Sequence, residues 1–172
     1  MDAVDLKAHA EPYMKVRAHD FFSLENIMPT YVCWTKAGRL SPGQRERIAK
    51  AITEIHHEEA WAPRYFVQVI FSEIGAQSHF VGGIEATRDQ IWVRADIRSG
   101  RTEDQKGKIL TRIASEISEI AEATRESVWV YVSDIPSHGV LEFGHILPPL
   151  GEEDSWFAKL PIELQERLRP LA

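Results

Sequence analysis

The 172-residue sequence holds a single cysteine, Cys33, so it has no disulfide framework and suits a reducing compartment. It has no run approaching the roughly 18 apolar residues that a membrane-spanning helix requires. It lacks a basic excess: 20 Lys and Arg against 26 Asp and Glu give a formal charge of −6, which argues against a phosphate-binding surface and a nucleic-acid partner. The first 28 residues lack the apolar centre of a secretory signal, and Asp2, Asp5, Glu11, Asp20 and Glu25 make them too acidic for a transit peptide. No HExxH or other zinc spacing occurs, since His56 and His57 are adjacent, so neither a metal nor a cofactor is expected. With 44% hydrophobic and 27% charged residues, the chain has the composition of one ordinary globular domain, and the cytoplasm is its expected location.

The sequence repeats itself. At an offset of 61 residues Ser41 falls on Thr102, Gln44 on Gln105, Ile48 on Ile109, Ile52 on Ile113, Ala60 on Ala121 and Arg64 on Arg125. "VQVIFSEI" (67–74) and "VWVYVSDI" (128–135) then become two versions of one segment. Each copy reads as strand, helix, strand. "SPGQ" at 41–44 and "TEDQ" at 102–105 are capping boxes that start two helices, the first with Pro42 at a position where its missing N–H costs nothing. Ile48, Ile52 and Ile55, then Ile109, Ile113, Ile117 and Ile120, form the apolar stripes. Segments 30–35, 65–72, 91–97 and 127–133 are rich in Val, Ile, Phe, Trp and Tyr and predict strands. A helix joining two such strands is a crossover between parallel neighbours. The expected fold is therefore a duplicated βαβ unit of the α/β (α+β) class, a mostly parallel four-stranded sheet with two helices on one face. Its uncovered face favours self-association. Beyond it, "LEFGHIL" (141–147) reads as a strand or hairpin, broken by Pro148 and Pro149, and "PIELQERL" as a short helix ended by Pro170.

Candidate chemistry begins at "IRSGRTEDQ" (97–105). Arg98 and Arg101 flank a Ser-Gly turn just before a helix N-terminus that is already partly positive, an arrangement that calls for an anion. A small carboxylate bound bidentately is one reading; pairing with surface acids such as Glu103 and Asp104 is the other. His56, next to the core residue Ile55, reads as the edge of the buried face and His57 as solvent-facing. Tyr131 alternates with Val130 and Val132, and Glu142 precedes Phe143 in the hairpin. Cys33 and the five tryptophans read as packing or interface groups.

The combination "PTYVCW", "ITEIHHE", "IWVRADIRSGR", "VWVYVSDIP" and "EFGHIL" resembles the tautomerase superfamily, specifically its cis-3-chloroacrylic acid dehalogenase group, over about residues 29–160, and within it the promiscuous hydratase- and decarboxylase-like branch. The resemblance implies a homotrimer of doubled βαβ subunits and chemistry that depends on a free amino-terminal proline. It carries that proline onto Pro29, the family's histidine onto His56, its substrate-binding arginines onto Arg98 and Arg101, its tyrosine onto Tyr131 and its glutamate onto Glu142. The implied reaction adds water to a small unsaturated carboxylate, a 3-haloacrylate or an acetylenic acid, giving malonate semialdehyde. The alternatives are keto-enol tautomerisation of a 2-keto acid, with Pro29 as base rather than acid, or a non-catalytic trimeric binding protein. Departing from the family's Glu-Tyr-Gly-Arg, this chain reads Glu142-Phe143-Gly144-His145, so a hydroxyl and a fixed cation are missing beside the proposed water-activating acid.

An internal proline nitrogen is a tertiary amide without a proton. The expectation is therefore that Met28 is the initiator, removed ahead of Pro29, and that residues 1–28 lie upstream of the true start. Residues 29–149 then form the duplicated domain and residues 150–172 a tail with a short helix.

Overall fold

The computed structural model describes residues 29–149 and 151–172; the expected extension, residues 1–28, lies outside the described residues. Strand β1 (Pro29–Lys36) leads into α1 (Pro42–Ala60) and β2 (Gln68–Ile74), then into the hairpin β3 (Phe80–Val81) and β4 (Ile84–Glu85). Strand β5 (Ile91–Arg98), α2 (Glu103–Ala121), β6 (Val128–Ile135) and the hairpin β7 (Leu141–Glu142) and β8 (His145–Ile146) repeat that order. Helices α3 (Glu153–Lys159) and α4 (Ile162–Leu168) follow. The four long strands form one sheet in the order β2-β1-β5-β6. The pairs β1–β2 and β5–β6 are parallel, as the crossover helices require, whereas the central pair β1–β5 is antiparallel. The sheet is thus mixed, and the two βαβ units meet along its middle.

The repeat is physical as well as sequential. Ser41 and Thr102 each accept a hydrogen bond from the backbone N–H of the Gln three residues on, and each Gln side-chain oxygen in turn accepts one from the cap residue's backbone N–H. The same glutamines reach across. Gln44 donates through Nε2 to the carbonyl of Ile120 at 3.0 Å, and Gln105 to that of Glu59 at 3.0 Å, so each helix start satisfies an orphan carbonyl at the other helix's end. Both helices end on a left-handed non-glycine residue, Trp61 at φ 52° and Glu122 at φ 53°. Ile48, Ile52, Ile55, Ile109, Ile113 and Ile117 pack against Tyr31, Cys33, Val93, Ala95 and Ile97, which alternate along β1 and β5 toward the helices. Cys33 is buried there, and burial pushes its thiol up to about 12, which fits a packing role.

Among the described residues, the opposite face of the sheet carries no helix. Trp34 and Trp92, directly paired across the seam, stack at 4.5 Å, and the Tyr131 ring meets Trp92 edge-on at 5.6 Å. Trp129 and Ile70 are also exposed. Several expectations need adjusting. The strand expected over 65–72 begins at Gln68, because Pro63 starts a 3₁₀ turn over Arg64–Phe66. The β3–β4 hairpin was not expected, although it matches β7–β8 at the same offset, and both turn on left-handed central residues, Gly82-Gly83 and Phe143-Gly144. The tail contains two helices rather than one. Trp156 packs on Phe66 and Leu147, and Leu160 and Leu168 are buried.

Replacing Ile113 with Ala empties a fully buried site between helix and sheet. Denaturant unfolding is expected to show a loss of about 2–5 kcal/mol.

Candidate active site

Register decides what meets at one end of the sheet. Pro29, the buried first residue of β1, lies opposite Ile97, so it is one residue along from Arg98, the last residue of β5. Three residues further, Arg101 precedes the cap of α2. Tyr31 follows Pro29 on the same side of β1, where α1 packs, and its hydroxyl lies 2.8 Å from Nδ1 of His56. Both side chains are 0% exposed. His56 is therefore not at the margin of the buried face but wholly inside it, because its helix turn points at the start of β1. His57 is not solvent-facing either: it is half-buried, with Nδ1 2.7 Å from the Ala62 carbonyl, which can only accept, so Nδ1 carries the proton.

Burial is the dominant influence on Tyr31 and drives its phenol far up, opposed by the nearby Arg101 guanidinium. The phenol stays protonated. Two of the sequence-derived candidates are thus tied to one residue, Tyr31, that the sequence reading left out. Its two-residue spacing from Pro29 was the available signal.

Both arginines are buried. Neither pairs with Glu103 or Asp104 in any bond observed among the described residues, where those acids hold Lys106 and Lys108. Arg98 instead donates through Nη1 to the carbonyl of Pro148 and through Nη2 to the carboxylate of Glu153, a buried acid at the start of α3. Glu153 lies 55 residues from Arg98 in sequence, and no local pattern could have announced it.

Glu142 arrives from the other side. Its hairpin is held by Leu147, which packs on Phe66, and by the Trp156 indole N–H donating to the Ile146 carbonyl at 3.1 Å. Glu142 lines a cavity of about 670 Å³ with Tyr65, Phe66, Gln68, Leu141 and Phe143. Gln68 pairs with Thr30, so the cavity flanks the start of β1. Desolvation raises the pKa of the Glu142 carboxyl. Phe143 beside it sits at φ 51°, a left-handed position that a β-carbon disfavours.

Tyr131 is elsewhere. It projects from the helix-free face, pairs with Arg94 rather than with the end of β5, and is 51% exposed. One chain therefore gathers Pro29, His56, Arg98, Arg101 and Glu142 toward one end of the sheet and leaves Tyr131 on the opposite face. Among the described residues no group of three or more His, Cys, Asp or Glu is placed to hold a metal ion, and no helix is long and apolar enough to cross a membrane.

Comparison with known proteins fits this geometry. Residues 28–159 match the family described as putative oxalocrotonate tautomerase enzymes. A crystal structure of N1, described as a member of the cis-3-chloroacrylic acid dehalogenase family, is similar at 43% identity and TM-score 0.80, over 83% of this chain and 99% of that one. A second structure, of native Ps01740, is 36% identical with TM-score 0.63, over 66% of this chain and 99% of that one. An asymmetric trimer of a fused 4-OT shares the fold, at 21% identity and TM-score 0.63 over 68% of this chain and 94% of that one. No curated protein sequence matches.

Two outcomes follow. Tyr31→Phe removes the hydroxyl from a buried histidine, and chemical denaturation is expected to show a loss of about 1–3 kcal/mol. Because the folded-state pKa of Glu142 is raised, the folded protein holds its proton more tightly than the unfolded chain does. The stability this contributes is present below the ordinary carboxyl pKa and is lost as pH rises through the folded one. Glu142→Gln should therefore be more stable than the parent at neutral pH and lose that advantage in acid, as thermal melts across pH would show.

Proposed function

Since the chain belongs to the family of putative oxalocrotonate tautomerase enzymes, within the tautomerase superfamily, we propose that it adds water to a small unsaturated carboxylate through an amino-terminal Pro29. The observation that carries this reading is the register of the central seam, which sets Pro29 opposite Ile97 and so beside Arg98, with Arg101 just beyond. In this reading the catalytic unit starts at Pro29. The family match beginning at residue 28 supports that boundary. The duplicated domain then covers residues 29–149 and residues 150–172 are its tail, from which Glu153 reaches Arg98, and a lone buried thiol suits the cytoplasm.

The chemistry follows from charge. Arg98 and Arg101 hold the substrate carboxylate and draw electron density from its multiple bond. Glu142 takes a proton from water as its oxygen bonds to the β-carbon, and the Pro29 ammonium delivers a proton to the α-carbon. A 3-haloacrylate adduct then carries halide and hydroxyl on one carbon; loss of halide and the hydroxyl proton leaves malonate semialdehyde. An acetylenic acid reaches the same product when its enol ketonises. Glu142 must be ionised for its step, so its raised pKa places the acid limb of the rate profile above the range of an ordinary glutamate. His56, fixed by Tyr31, steadies the proline or the substrate. Tyr131 faces away from this end, so in this reading it serves a second copy, in a homotrimer that uses the bare Trp34–Trp92 face. The fused 4-OT relative, itself an asymmetric trimer, supports that assembly.

The buried arginines also favour a second reading. Two nearby guanidiniums stabilise the neutral amine, and neutral Pro29 is a base suited to keto-enol tautomerisation of a 2-keto acid. If Pro29 stays internal, what remains is a non-catalytic binding protein.

The test is a product assay on a chain beginning at Pro29, with cis-3-chloroacrylate, propiolate and phenylpyruvate in parallel. Malonate semialdehyde from the first two is expected, and the 172-residue chain should be slower by about 10²–10⁴-fold, the usual worth of a positioned proton donor. Equal rates from both chains would remove Pro29 from the mechanism, and turnover of phenylpyruvate alone would select the tautomerase.

A further inference from the structure

Arg98 already holds a carboxylate. The guanidinium is 2% exposed and Glu153 4%, and the two are bonded directly, with the Pro148 carbonyl on the neighbouring nitrogen. A buried arginine–carboxylate contact is chemically the contact a small acid would make on entering the site. We propose that Glu153 is the internal competitor for the carboxylate position at Arg98, so that affinity for small acids is set by displacing the start of α3. This rests on the reading that Arg98 holds the substrate's carboxylate, and it assigns the residue that determines how readily that happens.

Three features make Glu153 displaceable rather than a permanent strut. Helix α3 has seven residues, and its cap position, Glu152, makes no side-chain capping bond; two turns of helix have little stability of their own. The later part of α3 has its own anchorage, Trp156 packing on Phe66 and bonding to Ile146, so the first turn can lift while the rest stays docked. Gly151, two residues before Glu153, sits at φ 80°, in the left-handed region that favours glycine, and supplies a pivot after the stiff Pro148-Pro149 pair.

Electrostatics favours exchange over simple opening. Pulling Glu153 away alone would remove the carboxylate bonded to a buried guanidinium, at a cost, whereas an incoming carboxylate replaces one anion by another as Glu153 passes into water. Apparent affinity is then the intrinsic affinity reduced by the fraction of molecules in which Glu153 has left. Ligands without a negative charge gain nothing from the exchange, so esters and amides of the same acids are excluded.

Isothermal titration with malonate tests this on the assembled protein. Glu153→Gln keeps the shape and one acceptor oxygen but removes the competing charge, and malonate is expected to bind about tenfold tighter or more. Equal or weaker binding by a folded variant overturns the proposal. Should that variant fail to fold, hydrogen exchange on the unaltered protein decides. Saturating malonate is expected to speed exchange of the amides of residues 152–157; unchanged or slower exchange overturns the proposal. Binding and turnover separate the two readings. Tighter malonate binding by Glu153→Gln without turnover of any test substrate would end the hydration reading alone, and turnover with unaltered malonate affinity would end this one alone.

Discussion

Everything at the site depends on the antiparallel seam between β1 and β5. Each βαβ half could satisfy its own parallel pairing and bury its own helix stripe, but neither half alone would have a site. Joining them antiparallel sets the amino end of β1 against the carboxyl end of β5, the first strand of the other half, which is why Pro29 meets Ile97 and Arg98 follows at once. The seam is secured from both sides. Trp34 stacks on Trp92 below, and above it the isoleucine stripes of α1 and α2 close over Tyr31, Cys33, Val93 and Ala95. The reciprocal glutamine bonds from each helix start to the other helix's end keep the pair in register. A slip of one residue at the seam would turn Pro29 and Tyr31 to the helix-free face and separate them from His56.

Two ends are generated by this arrangement, equivalent in fold and unlike in chemistry. Under the 61-residue offset Pro29 answers to Gln90, His56 to Ile117, Arg98 to Ala37, Arg101 to Leu40, Tyr131 to Ile70 and Glu142 to Val81. The named residues, drawn from both halves, have counterparts in the other half that are apolar or neutral. His56 and Ile117 are both completely buried, so the first needs a partner, and Tyr31 provides one, while the second needs only contact. The scaffold is thus indifferent to which end reacts, and the side chains choose one.

That choice gathers cationic groups in a place that would be unfavourable without anions. Burying Arg98 and Arg101 near a helix N-terminus and a protonated Tyr31 is tolerable because Glu153 and the Pro148 carbonyl compensate Arg98. The tail is therefore tied to the site through Arg98. Glu142 lines a cavity of its own, where desolvation rather than a neighbouring charge governs it.

Much of this was legible in the chain. The repeat, the capping boxes and the isoleucine periodicity are local signals, set by bonds and faces within a few residues, and they were enough for both helices, the four strands and the parallel pairings. The same local reading missed what rests on contacts between distant segments: the antiparallel seam, full burial of His56 against Tyr31, the second tail helix, and Glu153 on Arg98. Tyr131 shows the limit most plainly, because its alternation with valines could not say that it lies on the face away from Pro29. Periodicity within a strand or helix determines which side a residue takes. Which residues then meet is decided by how strands pair and where the tail docks, because those energies come from pairs far apart in sequence.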